Sequence, residues 1–142
     1  MKFEVIGTPV AKGRPRLGRF GTYTPSKTIN YENLVKISYL NTTNDKLYDK
    51  AIKIEIWAIF EPTKAERKSK KKYAELIGQP YTKRPDIDNI AKSILDALND
   101  VAYDDDSHIA ELIVHKLYGE QAKAIISIEE IKEKIKKIRK GI

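Results

Sequence analysis

The chain has 142 residues, 41% of them hydrophobic and 33% charged, with a net charge of +7 and a pI near 9.4. That length supports one compact domain over residues 1–142, and the composition is that of a globular protein rather than a disordered or membrane chain. With no cysteine, disulfides, thiolate metal sites and a cysteine nucleophile are excluded, so any metal is held by oxygen or histidine.

In chain order, Lys2–Gly7 alternates as a strand, which also argues against a signal peptide. No apolar run approaches the roughly 18 residues that cross a bilayer, so the expectation is a cytoplasmic protein without a membrane partner. A Gly/Pro/Arg-rich loop follows, from Lys12-Gly13-Arg14-Pro15-Arg16 to Thr24-Pro25. A helix is expected from Ser26, with Ile29, Leu34, Ile37 and Leu40 as its buried face, ending around residues 41–44. Ala51–Phe60 alternates charged and apolar residues, the period of a half-buried strand, and Pro62 closes it.

Residues 64–77 are lysine-rich and helix-favouring, and Gly78-Gln79-Pro80 breaks them. A second helix is expected from Asp88 to Asn99, with Ala91, Ile94, Leu95 and Leu98 on its apolar face and Ile90 at the flank. Asp88, Lys92 and Asp96 recur every four residues on another face, where Asp96 is expected to pair with Lys92. An acidic loop, Tyr103–Ser107, leads to a strand at 109–117. The turn Tyr118–Gln121 is expected to fold that strand back on a last strand, 122–128, as an antiparallel hairpin. From 129 to 141 a basic helix is expected, striped by Ile128, Ile131, Ile135, Ile138 and Ile142. The fold class is therefore α+β: a small mixed sheet packed by helices.

The charge distribution says more than its sum. Residues 1–36 carry Lys2, Lys12, Arg14, Arg16, Arg19, Lys27 and Lys36 against Glu4 and Glu32. Residues 64–84 are also basic. Between Asp86 and Glu111 the balance inverts: Asp86, Asp88, Asp96, Asp100, Asp104, Asp105, Asp106 and Glu111 face only Lys92. A basic chain implies a polyanionic partner, yet such an acidic cluster repels phosphate unless a cation sits within it. Arg14 and Arg16, stiffened by proline and glycine, are candidate phosphate contacts with Lys12, Lys83 and Arg84.

Asp86 and Asp88 are separated by one residue where a Pro85-extended segment enters a helix, so both carboxylates can converge on one hard divalent cation. Asp104-Asp105-Asp106 supplies a third. The competing reading makes Asp88 a helix cap and 104–106 a solvated loop. His108 and His115, in or beside a strand, read as structural histidines.

Taken together, Arg84-Pro85-Asp86-Ile87-Asp88-Asn89-Ile90-Ala91-Lys92, then Leu95-Asp96-Ala97-Leu98, then Tyr103-Asp104-Asp105-Asp106-Ser107-His108-Ile109, resemble the signature of the RusA-like crossover-junction endonucleases. Gly7–Arg16 is similar to the phage and prophage branch of that family, and the resemblance spans roughly residues 5–128. It implies metal-binding catalytic carboxylates at Asp86, Asp88 and Asp106, with Asp105 able to share the third role, and a catalytic lysine at Lys92. It further implies Mg2+, with Mn2+ substituting, and no small-molecule cofactor. The implied substrate is a four-way DNA junction or other branched DNA, cut symmetrically by a two-fold homodimer in recombination and repair. The alternative is a non-enzymatic basic nucleic-acid-binding protein.

Overall fold

A computed structural model describes residues 1–47 and 49–133. The elements are β1 (Lys2–Ile6), a small hairpin of β2 (Arg16–Gly18) and β3 (Gly21–Tyr23), α1 (Ser26–Leu40), β4 (Ile52–Phe60), α2 (Lys70–Leu76), α3 (Ile87–Leu98), a 3-10 turn (Asp106–His108), β5 (Ile109–Tyr118) and β6 (Lys123–Glu130). Four strands form one mixed sheet in the order β1-β6-β4-β5, in which only β4 and β5 run parallel. This is the expected α+β class.

β4 lies at the centre, and its alternation is fully used. Ile52, Ile54, Ile56, Ala58 and Phe60 point into the core beside Phe3, Val5, Ala124, Ile126 and Ile128, while Lys53, Glu55, Trp57 and Ile59 line the opposite face. α1 and α3 cover the core face. From α3 come Ile90, Ala91, Ile94, Ala97 and Leu98, all buried, and the fully buried aliphatics contribute roughly 1.5–3 kcal/mol each.

The expected β5–β6 hairpin does not form. β5 instead joins β4 in parallel, completing a β4-α3-β5 crossover, and β6 pairs on the far side of β4. The four-residue connection that suggested a hairpin carries the chain over the end of β4. There the Gly119 N–H donates to the Phe60 carbonyl at 3.0 Å, and a Cβ on Gly119 would clash with Ile59 Cγ2, so the close crossing favours glycine.

α1 also turns a different face inward. Thr28, Tyr31, Val35 and Tyr39 are buried, whereas the expected core residues Ile29, Leu34, Ile37 and Leu40 are exposed. The helix carries two apolar stripes, and the one holding two tyrosines wins. Tyr39 meets Phe3 edge-on at 5.5 Å and donates its hydroxyl to the Asp45 carbonyl, while the Thr28 hydroxyl accepts the Gly13 N–H at 2.9 Å. The expected basic helix from 129 begins instead with Glu129 and Glu130 as the end of β6, paired with Lys53 and Ile52; its part from 134 onward lies outside the described residues. No described helix is long and apolar enough to cross a membrane.

Candidate active site

The aspartate pair singled out in the sequence lies where the chain enters α3. The Arg84–Pro85 peptide bond is cis, and Asp86 occupies the N-cap position with extended backbone (φ −67°, ψ 143°). Its carbonyl accepts the Ile90 N–H at 3.1 Å, but its carboxylate makes no capping hydrogen bond. Asp88, in the first turn, accepts the N–H of the adjacent Asn89 at 2.9 Å and no other hydrogen bond among the described residues. The Lys92 ammonium, one turn later, has neither a hydrogen bond nor an ion pair among the described residues. All three side chains are exposed. The capping reading of the aspartates thus leaves Asp86 unexplained: a carboxylate in the cap position that does not cap.

The basic N-terminal loop is bolted to the same helix. The Lys12 N–H donates to the Asn89 carbonyl at 2.8 Å, and the Ser93 hydroxyl, buried on α3, donates to the Val10 carbonyl at 2.7 Å, with the Ile90 carbonyl 2.9 Å away. The Lys12 ammonium lies 2.5 Å from Glu32 on α1 and 3.2 Å from Asp96 on α3. Burial opposes its charge, but hydrogen bonds and attraction from Glu32 and Asp96 outweigh burial, and its pKa is raised. Lys12, expected to face phosphate, therefore has its ammonium engaged by two carboxylates. Asp96 takes this partner instead of the expected Lys92.

With its root fixed, the loop exposes Arg14 and Arg16. Arg14 joins Asn89 and Lys92 along one groove, and Arg16 lines a neighbouring cleft of about 470 Å³ with Lys27, Arg84, Pro85 and the aromatic rings of Phe60 and Tyr81. Those rings stack at 4.2 Å. Arg84 and Asp86 line the small groove that continues past Ala11. Lys83 is tied elsewhere, 3.1 Å from Glu66. Glu66 and Thr63 exchange hydrogen bonds in a capping box; the Thr63 N–H, then Lys83, hold the Glu66 carboxyl down to about 2.

Tyr103 fastens the acidic loop to α3. It is fully buried, and its hydroxyl donates to the Leu95 carbonyl at 2.7 Å. Burial, then the charges of Asp106, Asp96 and Asp105, push the phenol well above its ordinary range. The three neighbours differ in what they are free to do. Asp104 lies 3.4 Å from Lys46, and Asp105 accepts from Ser107, whose hydrogen bonds hold its carboxyl below the usual range. The Asp106 carboxylate has no hydrogen bond or ion pair from another described residue.

Among the described residues, the group of three whose ligand atoms all lie within 4.8 Å of one another is Asp49, Asp104 and His108. It shares no member with Asp86, Asp88, Asp105 and Asp106. Asp49 stands in left-handed backbone at φ 49°, and the His108 ring nitrogen lies 3.3 Å from the Lys50 carbonyl oxygen. Sequence reading passed over Asp49, which lies more than fifty residues from its partners, and over Ser93 and Tyr103, whose hydroxyls look like part of an apolar face and of a loop until the fold joins them to the site.

The family model for Endodeoxyribonuclease RusA matches residues 7–129, which include every residue of this arrangement. The chain is also 30% identical, over 139 residues, to the Bacillus subtilis (strain 168) protein named Uncharacterized protein YqaN, across 92% of this chain and 96% of that one. A capless aspartate pair, a lysine one turn on and a basic loop locked to their helix occur within a match that covers most of the chain: the protein belongs to the RusA endodeoxyribonuclease family.

Proposed function

We propose that this protein is a divalent-metal-dependent endonuclease that resolves four-way DNA junctions by paired, symmetric incisions in recombination and repair, working as a two-fold dimer in the cytoplasm. The observation that carries the reading is the Asp86 carboxylate, placed at the start of α3 without a capping bond, beside exposed Asp88 and a Lys92 side chain without a partner among the described residues. Exposed hard oxygen donors, of which Asp88 gives one oxygen to the Asn89 N–H and Asp86 has no capping bond, suit Mg2+, which takes one or two protein carboxylates and keeps its remaining positions for water and phosphate oxygens. Mn2+ accepts the same donors.

Asp86 and Asp88 would hold such an ion, with Asp106 the favoured third carboxylate because Asp104 and Asp105 already have partners. When bound, the ion supplies an activated water and neutralises charge on the leaving oxygen. Lys92 contributes a fixed positive charge to a phosphate whose negative charge grows during the reaction. Arg14, Arg16 and Arg84 hold the backbone on either side. The Val10–Lys12 anchor on α3 keeps those cations in register with the aspartates, so that binding and cutting address the same phosphate.

A four-way junction requires two cuts in opposed strands, and one cluster per chain accommodates one scissile phosphate. A two-fold dimer supplies both sites about the junction's own axis. The exposed stripe Ile29, Leu34, Ile37 and Leu40 on α1 is an apolar surface suited to such an interface. The test uses mixed dimers of wild-type and Asp88→Asn chains on a closed circular cruciform: the mixture should nick one strand and stall, whereas full resolution at the wild-type rate would overturn the dimeric reading.

A further inference from the structure

Among the described residues, the most exposed large apolar side chain is that of Phe20, at 97% of its accessible surface, and the next is Leu17 at 85%. Both lie on the β2–β3 hairpin, which stands out from the loop anchored to α3. The tip is a two-residue turn, Arg19-Phe20, between Gly18 and Gly21, which are directly paired. Gly21 has φ +116°, a conformation that side chains rarely adopt, and a Cβ on Gly18 would stand 3.0 Å from the Tyr23 ring. The turn is thus built around its two glycines, with the Tyr23 ring bracing the strand behind it. Below, Gly13 is locked against Pro25 and Thr28, where a Cβ would meet Pro25 Cγ at 2.9 Å. The hairpin is a fixed projection that carries an aromatic ring at its end.

Its surroundings indicate what the ring meets. Between Glu4 and Glu32 the chain holds no acidic residue, and Arg14, Arg16 and Arg19 all lie on this loop. The Arg19 guanidinium stands 5.7 Å from the Phe20 ring centroid, so the tip is cationic as well as aromatic. Arg16, at the base of the hairpin, lines the cleft shared with Arg84, Pro85 and Lys27. An exposed phenyl ring has nothing to gain from phosphate. It gains from the face of a base, and basic grooves with interleaved aromatics hold unpaired strands in this way.

We infer that the β2–β3 hairpin is the element that tells branched DNA from linear duplex, with Phe20 stacking on a base left unpaired or unstacked at the branch point while Arg14, Arg16 and Arg19 hold the flanking phosphates. This rests on the endonuclease reading given above and adds to it the source of structural selectivity. Phosphate contacts alone are the same on any duplex; a linear duplex hides its base faces, and a branch point offers them.

The test places 2-aminopurine at the branch point of a synthetic four-way junction, and at the same sequence in a linear duplex, with EDTA present so that no strand is cut. Wild-type protein should change the fluorescence of the junction and leave that of the duplex unchanged. Phe20→Ala should abolish the change and weaken junction affinity about ten-fold, the loss expected for one stacked base, with duplex affinity and the salt dependence of binding unaltered. Phe20→Trp should restore both. If Phe20→Ala matches wild type in fluorescence and affinity while wild type prefers the junction, the hairpin inference falls and the endonuclease reading stands. If Phe20→Ala changes the sedimentation of the free protein and weakens junction and duplex alike, the ring belongs to a subunit interface and the inference is wrong. Wild-type protein that binds junction and duplex equally overturns this inference, while the endonuclease reading is decided separately by cleavage in the presence of metal.

Discussion

The Lys12 ammonium stands 3.2 Å from the Asp96 carboxylate and 2.5 Å from that of Glu32, joining the N-terminal loop to α3 and α1 at one point. Lys12→Ala leaves two half-buried carboxylates without their shared cation and should cost about 1–3 kcal/mol in denaturant unfolding. Because the Lys12 pKa is raised in the folded chain, its contribution is fully present below pH 10.5 and is lost as pH rises through the folded value. The stability difference between wild type and Lys12→Ala should therefore shrink in strong alkali.

Replacing Arg14 and Arg16 should act differently. Their side chains are exposed and line the grooves beside Lys92 and Arg84, so the double change to alanine should flatten the dependence of log K on log salt by about 0.9 for each phosphate no longer neutralised, while leaving stability within about 0.5 kcal/mol. Lys12→Ala alone should leave that slope unchanged, since its charge is already engaged. Junction binding measured across a salt series separates the two roles.

Two acidic groups are candidates for the proposed metal site. Asp86→Asn, Asp88→Asn and Asp106→Asn should each reduce cleavage by several orders of magnitude with junction affinity equal or tighter, because each change removes a negative charge facing phosphate. Asp49→Asn should leave cleavage within a few-fold of wild type. Cleavage abolished by Asp49→Asn and spared by Asp86→Asn would move the metal to the Asp49, Asp104 and His108 group, whose ligand atoms lie within 4.8 Å of one another.

The crossing of the β5–β6 connection over β4 makes a prediction about the fold alone. Gly119→Ala should destabilise by about 1–3 kcal/mol, as its Cβ meets Ile59 Cγ2. In the background of Ile59→Ala, which removes that methyl, the further cost of Gly119→Ala should largely disappear. Additive losses in this double-mutant cycle would speak against the crossing.

Glu66 ties the lysine-rich segment to β5 through Thr63, Lys83 and the Tyr118 hydroxyl. Its carboxyl is held down to about 2, so its contribution is present above the ordinary value of 4.5 and is lost as pH falls toward 2. A Glu66→Gln variant should lose less stability than wild type between pH 4.5 and 2, followed by thermal unfolding.

Local periodicity made β1, β4 and α3 legible in the sequence, because each alternates or repeats against a single core face. α1 carries apolar residues on two faces, and only packing against Phe3 and the sheet decides that Tyr31, Val35 and Tyr39 go inward. Strand order was illegible for a related reason: the turn at 118–121 suits a hairpin as well as a crossing, and what selects the crossing is the need of β4 for a partner on each edge. At the site, the spacing of Asp86, Asp88 and Lys92 was plain along the chain. The engagement of Lys12 with Asp96, the Ser93 anchor and the fastening of the acidic loop by Tyr103 depend on pairs of residues far apart, which no local pattern encodes.

Whether the protein cuts DNA with a metal, and only where the DNA branches, is decided by incubating it with a synthetic four-way junction and a linear duplex of the same sequence, with Mg2+, with Mn2+ and with EDTA. Paired nicks are expected at symmetric positions in the junction with either metal, none with EDTA, none with Asp88→Asn, and little cutting of the duplex. Tight binding of the junction without cleavage under any metal would make the protein a binding module, and equal cleavage of junction and duplex would contradict its structural selectivity.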